Sequence, residues 1–433
     1  MKFYSTNNSE HQVGLAEAVI KGLAPDQGLY VPMVIPQLDP ELLAKFPEMN
    51  FREIGYEVIG ALFSEDLTKD QIKNLVDHTL VFDAPLVKVE EDIYSLELFH
   101  GPTLAFKDFG ARFCSKLMSL LLANSDKKVR VLVATSGDTG SAVANGFLGV
   151  EGVEVIILFP KGKVSELQEK QFTTLGQNIT SLEVEGAFDD CQRMVKEAFL
   201  DVELNENLLL TSANSINIAR WIPQTLYYFY AFSRLPKTDK KIVFSVPSGN
   251  FGNLAAGILA QRMGLAIDHF VAATNLNKVV PEYLEGSEFN AMASIQTVSN
   301  SMDVGNPSNF PRLLALYGGD ENLLKENVDG FFYDDDQTIE AIQKVKREGY
   351  ILDPHGAVGY LGLLDFKIKN PGYLGVFLET AHPGKFRDVV EKALGEKVIL
   401  PERLSLFLKG EKKVIPMGKE FGEFKEFLKK LEV

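Results

Sequence analysis

Cysteine is almost missing from this 433-residue chain, which has only Cys114 and Cys191. That excludes a disulfide framework and a thiolate metal cluster. Histidine is sparse too, with six residues and no HxxxH or Cys/His spacing, so a metal centre has no ligand set. Positive charge is in deficit. Lys and Arg number 44 against 59 Asp and Glu, a formal net charge of -15, so there is no broad basic face for nucleic acid or an anionic membrane. No apolar stretch approaches the roughly eighteen residues of a membrane span, and the opening MKFYSTNNSEH is polar. A cytoplasmic location is the simplest expectation. There is no GxSxG elbow, no Rossmann GxGxxG and no P-loop. Any phosphate the protein holds must be bound locally, by backbone amides and a few placed side chains.

What is present is alternation. VRVLVAT, VEVIILFP and ITSLEVE are apolar runs suited to strands buried on both faces, separated by a helix from Thr139 and a helix in SELQEKQFTTLG that ends at Gly176. The pattern resumes with KIVFSV, a helix in NLAAGILAQRMG, the strand IDHFVAAT, helices over 337–347 and 357–366, and the strand YLGVFLE. Strands alternating with helices imply two α/β units built on parallel sheets. Residues 1–80 are turn-rich, with short helical patterns at 15–21 and 51–63, and read as a small N-terminal domain or cover. In such sheets ligands bind beyond the carboxyl ends of the strands, so the chemistry belongs in the loops there.

The most informative loop is FHGPTLAFKDFGARF. Phe109, Phe113, Leu117 and Leu121 recur every four residues, which puts Lys107 at the N-terminus of a helix with one buried face. The positive end of the helix dipole disfavours an ammonium there, and Leu104, Ala105 and Phe106 strip water from it. Both effects lower the lysine's pKa and favour a Schiff-base amine. An ordinary first-turn lysine is the alternative on this segment alone. The loop SGDTGSA offers Ser136 and Thr139 at another helix start, although Asp138 or Thr139 could simply be its N-cap. PSGNFGN combines two glycines and two asparagines without formal charge, which suits a phosphate monoester bound by amides, with a tight structural turn as the alternative. SANSINIAR presents Asn214, Ser215 and Arg220, the last able to clamp an anion in bidentate fashion or to be an ordinary surface arginine. TAHPGKF sets Thr380 and His382 at a further strand end, with the role of His382 left open. An activated lysine, a neutral phosphate cradle and hydroxyl loops together describe a pyridoxal phosphate pocket.

HGPTLAFKDFGARF, ATSGDTGSA, NSINIAR, SGNFGN and ETAHPGKF, in that order and with DQGLYVP near the N-terminus, resemble the signatures of threonine synthases. The resemblance implies the fold type II class of pyridoxal phosphate enzymes, the class of the tryptophan synthase β-subunit. It divides the chain into an N-terminal domain (1–80), a small mobile α/β domain (101–215) and a large α/β domain (81–100 with 216–433). It implies that Lys107 carries the cofactor, that Gly249, Asn250, Phe251, Gly252 and Asn253 surround its phosphate, and that Asp138 lies beside its ring hydroxyl. Many relatives have Asn at that last position. Thr380 would meet the ring nitrogen, a hydroxyl that leaves this nitrogen largely unprotonated and makes transamination unfavourable. Ser136, Thr139, Asn214, Ser215 and Arg220 would hold the carboxylate and phosphate of O-phospho-L-homoserine. The expected reaction gives L-threonine and phosphate by γ-elimination and β-hydration. A threonine or serine dehydratase, a phospholyase, and a cofactor-binding homologue without catalysis share the same loops.

Overall fold

Runs of Val, Ile and Leu set the frame. The computed structural model describes residues 1–123 and 128–432. Val129–Ala134, Val153–Pro160, Ile179–Val184 and Leu209–Ser212 form a parallel sheet, in the order Ile179–Val184, Val153–Pro160, Val129–Ala134, Leu209–Ser212. Alternate residues of each strand serve different cores, as the two-residue period of a strand requires. Val129, Val131, Val133, Val155 and Ile157 pack with Phe109 and Phe113 of the helix Lys107–Leu122. Leu132, Ala134, Ile156 and Leu158 pack with Met194 of the helix Phe188–Leu200 and with Phe424 of the helix Phe421–Lys429. The fifth strand of this sheet is Ile415–Met417, which pairs with Ile179–Val184 from the far end of the chain. A division by linear strand pattern does not contain that crossover.

The larger sheet runs Val328–Phe332, His269–Thr274, Lys241–Pro247, Tyr373–Glu379, Ile93–Glu97, Leu86–Glu90. Its pairs are parallel except the last, an antiparallel hairpin at the edge. The helix Pro354–Lys369 packs against its central strands. The N-terminal residues fold as a three-stranded antiparallel sheet with Lys2–Ser5 in the centre, joined by the helices Leu15–Lys21, Phe51–Phe63 and Lys69–Thr79. An Asn50–Glu53 capping box starts the second of these and a Thr68–Gln71 box the third. Among the described residues no helix is long and apolar enough to cross a membrane.

One buried cation fastens the N-terminal domain to the rest. Arg312 is fully buried, lies 4.6 Å over the Trp221 ring, and donates to the carbonyl oxygens of Tyr30, Ser215 and Ile216.

Candidate active site

The carboxyl ends of both parallel sheets open on one cavity of about 550 Å³. All thirteen residues singled out as site candidates line it. Lys107 is the first residue of its helix, as the four-residue period requires. Its placement comes from the segment before it. Leu104 adopts a left-handed φ of 57°, Phe106 N–H donates to the Thr380 carbonyl oxygen at 2.9 Å, and His382 N–H donates to the Leu104 carbonyl oxygen at 3.1 Å. A non-glycine residue in that region costs about 1–2 kcal/mol, and such strain gathers at functional sites. These bonds register Lys107 against Thr380, across two elements far apart in sequence.

Burial is the main cause that lowers the Lys107 pKa; the Asp138 carboxylate opposes it, and the charges of Lys385 and Arg220 add to it. The direction is the one expected from Leu104, Ala105 and Phe106, but two cations reinforce it. Nζ lies 3.6 Å from Asp138 Oδ2 and 4.9 Å from the centre of the Phe106 ring.

Asp138 opens the helix Asp138–Phe147 but does not cap it. The Thr135 hydroxyl does so, accepting from the amides of Gly137 and Gly140 at 3.0 and 2.8 Å. The carboxylate is thereby free for the cavity. Oδ1 accepts from Gln168 Nε2 at 2.9 Å and lies 2.7 Å from Lys385 Nζ; Oδ2 accepts from the Ser301 hydroxyl at 3.3 Å. Gln168 reaches it only because residue 137 is glycine, where a β-carbon would lie 2.6 Å from the Gln168 side chain. Burial would raise the Asp138 pKa, but the charges of Lys385 and Lys107 and the hydrogen bonds from Lys385 and Gln168 outweigh it. Its carboxyl is held well below the usual carboxylate range.

The 249–253 loop is an amide cradle. Phe251, at φ 62°, is the N-cap of the helix Gly252–Arg262, and no side chain caps that end. Gly249 has to be glycine, since a β-carbon would lie 2.8 Å from Met302 Cα. Asn250 is spent on the neighbouring loop, accepting from Ser308 N–H, whereas Asn253 Nδ2 is buried without a partner among the described residues. Free amides at the positive end of an eleven-residue helix, with an orphan amide group beside them, fit a phosphate monoester. With a desolvated lysine across the cavity they fit pyridoxal phosphate.

Arg220 supplies what the cradle lacks. It is buried, Nη1 donates to the Ala213 carbonyl oxygen, and Nε has no partner among the described residues. Asn214 Nδ2 donates to the Ala134 carbonyl oxygen at 3.1 Å, and the Ser215 hydroxyl accepts from Asn309 Nδ2 at 3.1 Å, which fixes the loop around Arg220. Thr380 faces the cavity. His382 does not: its Nδ1 accepts from Gly384 N–H at 3.0 Å and caps the turn Pro383–Phe386.

Lys385, Gln168, Ser301 and His355 were not singled out from sequence. Lys385 lies in TAHPGKF, yet nothing local marks a lysine as buried. His355 lines the cavity, its Nδ1 2.5 Å from Asp353 Oδ1, and its Nε2 accepts from Ser301 N–H at 3.2 Å. Among the described residues no group of three or more His, Cys, Asp or Glu could hold a metal ion.

Comparison with known proteins identifies the family. The family described as pyridoxal-phosphate dependent enzyme matches residues 78–375, threonine synthase N terminus matches 2–80, and threonine synthase, C-terminal matches 356–428. The threonine synthase of Haemophilus influenzae is 46% identical over 93% of this chain and 94% of its own. The crystal structure of threonine synthase from Escherichia coli covers 100% of both chains with a TM-score of 0.94 and 41% identity. The structure of the pyridoxal-phosphate-bound threonine synthase from Brucella melitensis covers 99% of both chains with a TM-score of 0.91 and 33% identity. With its N-terminal domain, its fold type II core and its lysine-and-cradle cavity, the chain belongs to the threonine synthase family, pyridoxal-phosphate-dependent lyases of threonine biosynthesis.

Proposed function

We propose that the substrate is O-phospho-L-homoserine, converted with water to L-threonine and phosphate in the cytoplasm, and that the thirteen cavity residues divide the work as follows. Lys107 carries the cofactor, Gly249 to Asn253 hold its phosphate, Asp138 faces its ring hydroxyl and Thr380 its ring nitrogen. When bound, pyridoxal phosphate supplies an electron sink for charge that develops on the substrate's carbon chain.

The observation that carries the choice of substrate is Arg220. The amide cradle accounts for one phosphate, and Arg220, a buried guanidinium that lines the same cavity with no carboxylate paired to it among the described residues, supports a second anion. A γ-phosphate satisfies it, with Ser136, Thr139, Asn214 and Ser215 offering hydrogen bonds to that phosphate and to the carboxylate. Arg220 then stabilises the charge of the departing phosphate. The Lys107 amine is the base suited to take the proton at Cα and return it. Closure of residues 101–215 over the substrate would exclude stray water before the single hydration step. The strand Ile415–Met417 and the helix behind it would travel with them, since they complete the same sheet and core.

The test is incubation of the loaded protein with O-phospho-L-homoserine, with phosphate, threonine and 2-oxobutyrate measured together. Equal phosphate and threonine are expected. Phosphate with 2-oxobutyrate would mean a lyase without the hydration step, and no product would remove this substrate.

A further inference from the structure

Lys385 lies on the turn Pro383–Phe386, just beyond Thr380, and its side chain is 0% exposed. Nζ is 2.7 Å from Asp138 Oδ1 and donates to the Thr103 carbonyl oxygen at 2.8 Å. That carbonyl is itself held in place. Thr103 donates from its N–H and its hydroxyl to the Asp108 carboxylate, at 2.8 and 2.7 Å, and its oxygen also accepts from Gln171 Nε2 at 3.1 Å. Burying an ammonium is costly unless its charge is matched, and an apolar side chain of the same length would fill the space without that cost. The charge therefore has a use, and what it meets is the carboxylate that also faces Lys107.

Asp138 divides its two oxygens. Oδ1 takes Lys385 and Gln168, while Oδ2 takes the Ser301 hydroxyl and stands 3.6 Å from Lys107, outside hydrogen-bond range. We propose that Lys385 is a positioning residue that takes up the charge of Asp138 and fixes its Oδ2 edge toward the cavity, leaving Lys107 as the uncommitted amine that carries the cofactor. This rests on the assignment of Lys107 made above.

The charged groups that bear on Lys107 are Asp138 from the helix after Val129–Ala134, Lys385 from the turn after Tyr373–Glu379, and Arg220 from the helix Ile218–Trp221. His355, from the helix Pro354–Lys369, lines the same cavity. With Lys385 in place the Asp138–Lys385 pair is neutral, and Lys107 gains little from holding a proton. Without it, Asp138 has only Lys107 as counter-ion, and in a desolvated site that favours the protonated nitrogen.

Visible absorption of the holoenzyme, titrated against pH, reads the protonation of the lysine–cofactor linkage directly. K385M should raise the midpoint by about one pH unit or more, whereas K385R should stay near the parent chain. In a D138N background K385M should have a clearly smaller effect, because the part of the action that passes through Asp138 is gone and only the direct repulsion between Lys385 and Lys107 remains. An unmoved midpoint in K385M, or the same shift with and without D138N, overturns the proposal. A loss of packing alone would not move the midpoint. Should K385M not fold, K385Q carries the same test, as it keeps donors to Thr103 and Asp138 but not the charge. Borohydride reduction of the parent holoenzyme and peptide mapping separate the two readings. Label on a lysine other than Lys107 sinks the site assignment, while label on Lys107 with an unmoved K385M midpoint sinks only the role of Lys385.

Discussion

Gly110 and Arg220 are in direct contact: a β-carbon on the glycine would lie 2.6 Å from the arginine's carbonyl oxygen and 3.1 Å from its Nε. The helix that presents Lys107 thus also sets the position of the guanidinium. Gly110→Ala gains about 1 kcal/mol of helix propensity but forces a backbone oxygen aside, and overpacking of that kind costs about 1–3 kcal/mol. A modest fall in the urea midpoint should accompany a larger rise in KM for phosphohomoserine. A stable variant with parental KM would show that Arg220 does not hold substrate.

Arg220→Ala should lower kcat/KM for phosphohomoserine by about two orders of magnitude, since a charged hydrogen bond to an anion is worth about 1.5–3 kcal/mol. The visible spectrum of the bound cofactor should be unchanged. Parental kinetics in this variant would remove Arg220 from the site.

Arg312→Met tests the link between the N-terminal domain and the substrate loop. The substitution keeps an apolar stem over Trp221 but leaves the carbonyls of Tyr30, Ser215 and Ile216 without their donor. A loss of about 3 kcal/mol in unfolding free energy is expected, together with a raised KM, because Ser215 is freed. Differential hydrogen exchange should show both Tyr30–Pro32 and residues 213–217 loosened. Protection confined to its parental pattern would contradict the link.

Acid should unfold the protein partly through two histidines. Burial pushes His382 down from 6.5 to about 4, with His100 adding to it, and burial with the charges of Arg112 and Lys116 does the same for His78. Both are bases with depressed folded values, so their contribution is fully present above pH 6.5 and is lost as pH falls toward 4. Urea midpoints measured across that window should fall less steeply in His78→Gln than in the parent. His382→Asn, which keeps an acceptor for Gly384 N–H, should flatten the slope as well. Parallel curves would place the acid sensitivity elsewhere.

Legibility in the sequence followed burial on both faces. VEVIILFP reads as a strand and is one, Val153–Pro160, since seven of its eight residues are buried. The hairpin Leu86–Glu90 and Ile93–Glu97 escaped because an edge pair carries Lys88, Glu90 and Glu97 among its apolar residues. Val328–Phe332 escaped for its Asp329 and Gly330, and Ile415–Met417 for its three-residue length. The helix at 166 stops at Thr173 rather than Gly176, which lies at φ 64° and whose carbonyl oxygen accepts from Ile179 N–H at 3.0 Å. At the site, Lys107, Thr380 and Arg220 were visible because each opens or follows a periodic element. Lys385 and Ser301 were not, because their meaning lies in a contact with Asp138 more than 160 residues away in the chain. The capping hydroxyl of Thr135 sits before the glycine turn that drew attention to Asp138 and Thr139.

The late strand Ile415–Met417 has a consequence for biosynthesis. Until it arrives, Ile179–Val184 is a bare sheet edge, and more than two hundred residues separate the two in order of synthesis. A ribosome-bound nascent chain can pair the other four strands of that sheet but must carry an unpaired edge through translation of four of the six strands of the larger sheet. The nascent protein is thus open to aggregation or chaperone capture until Ile415–Met417 clears the exit tunnel.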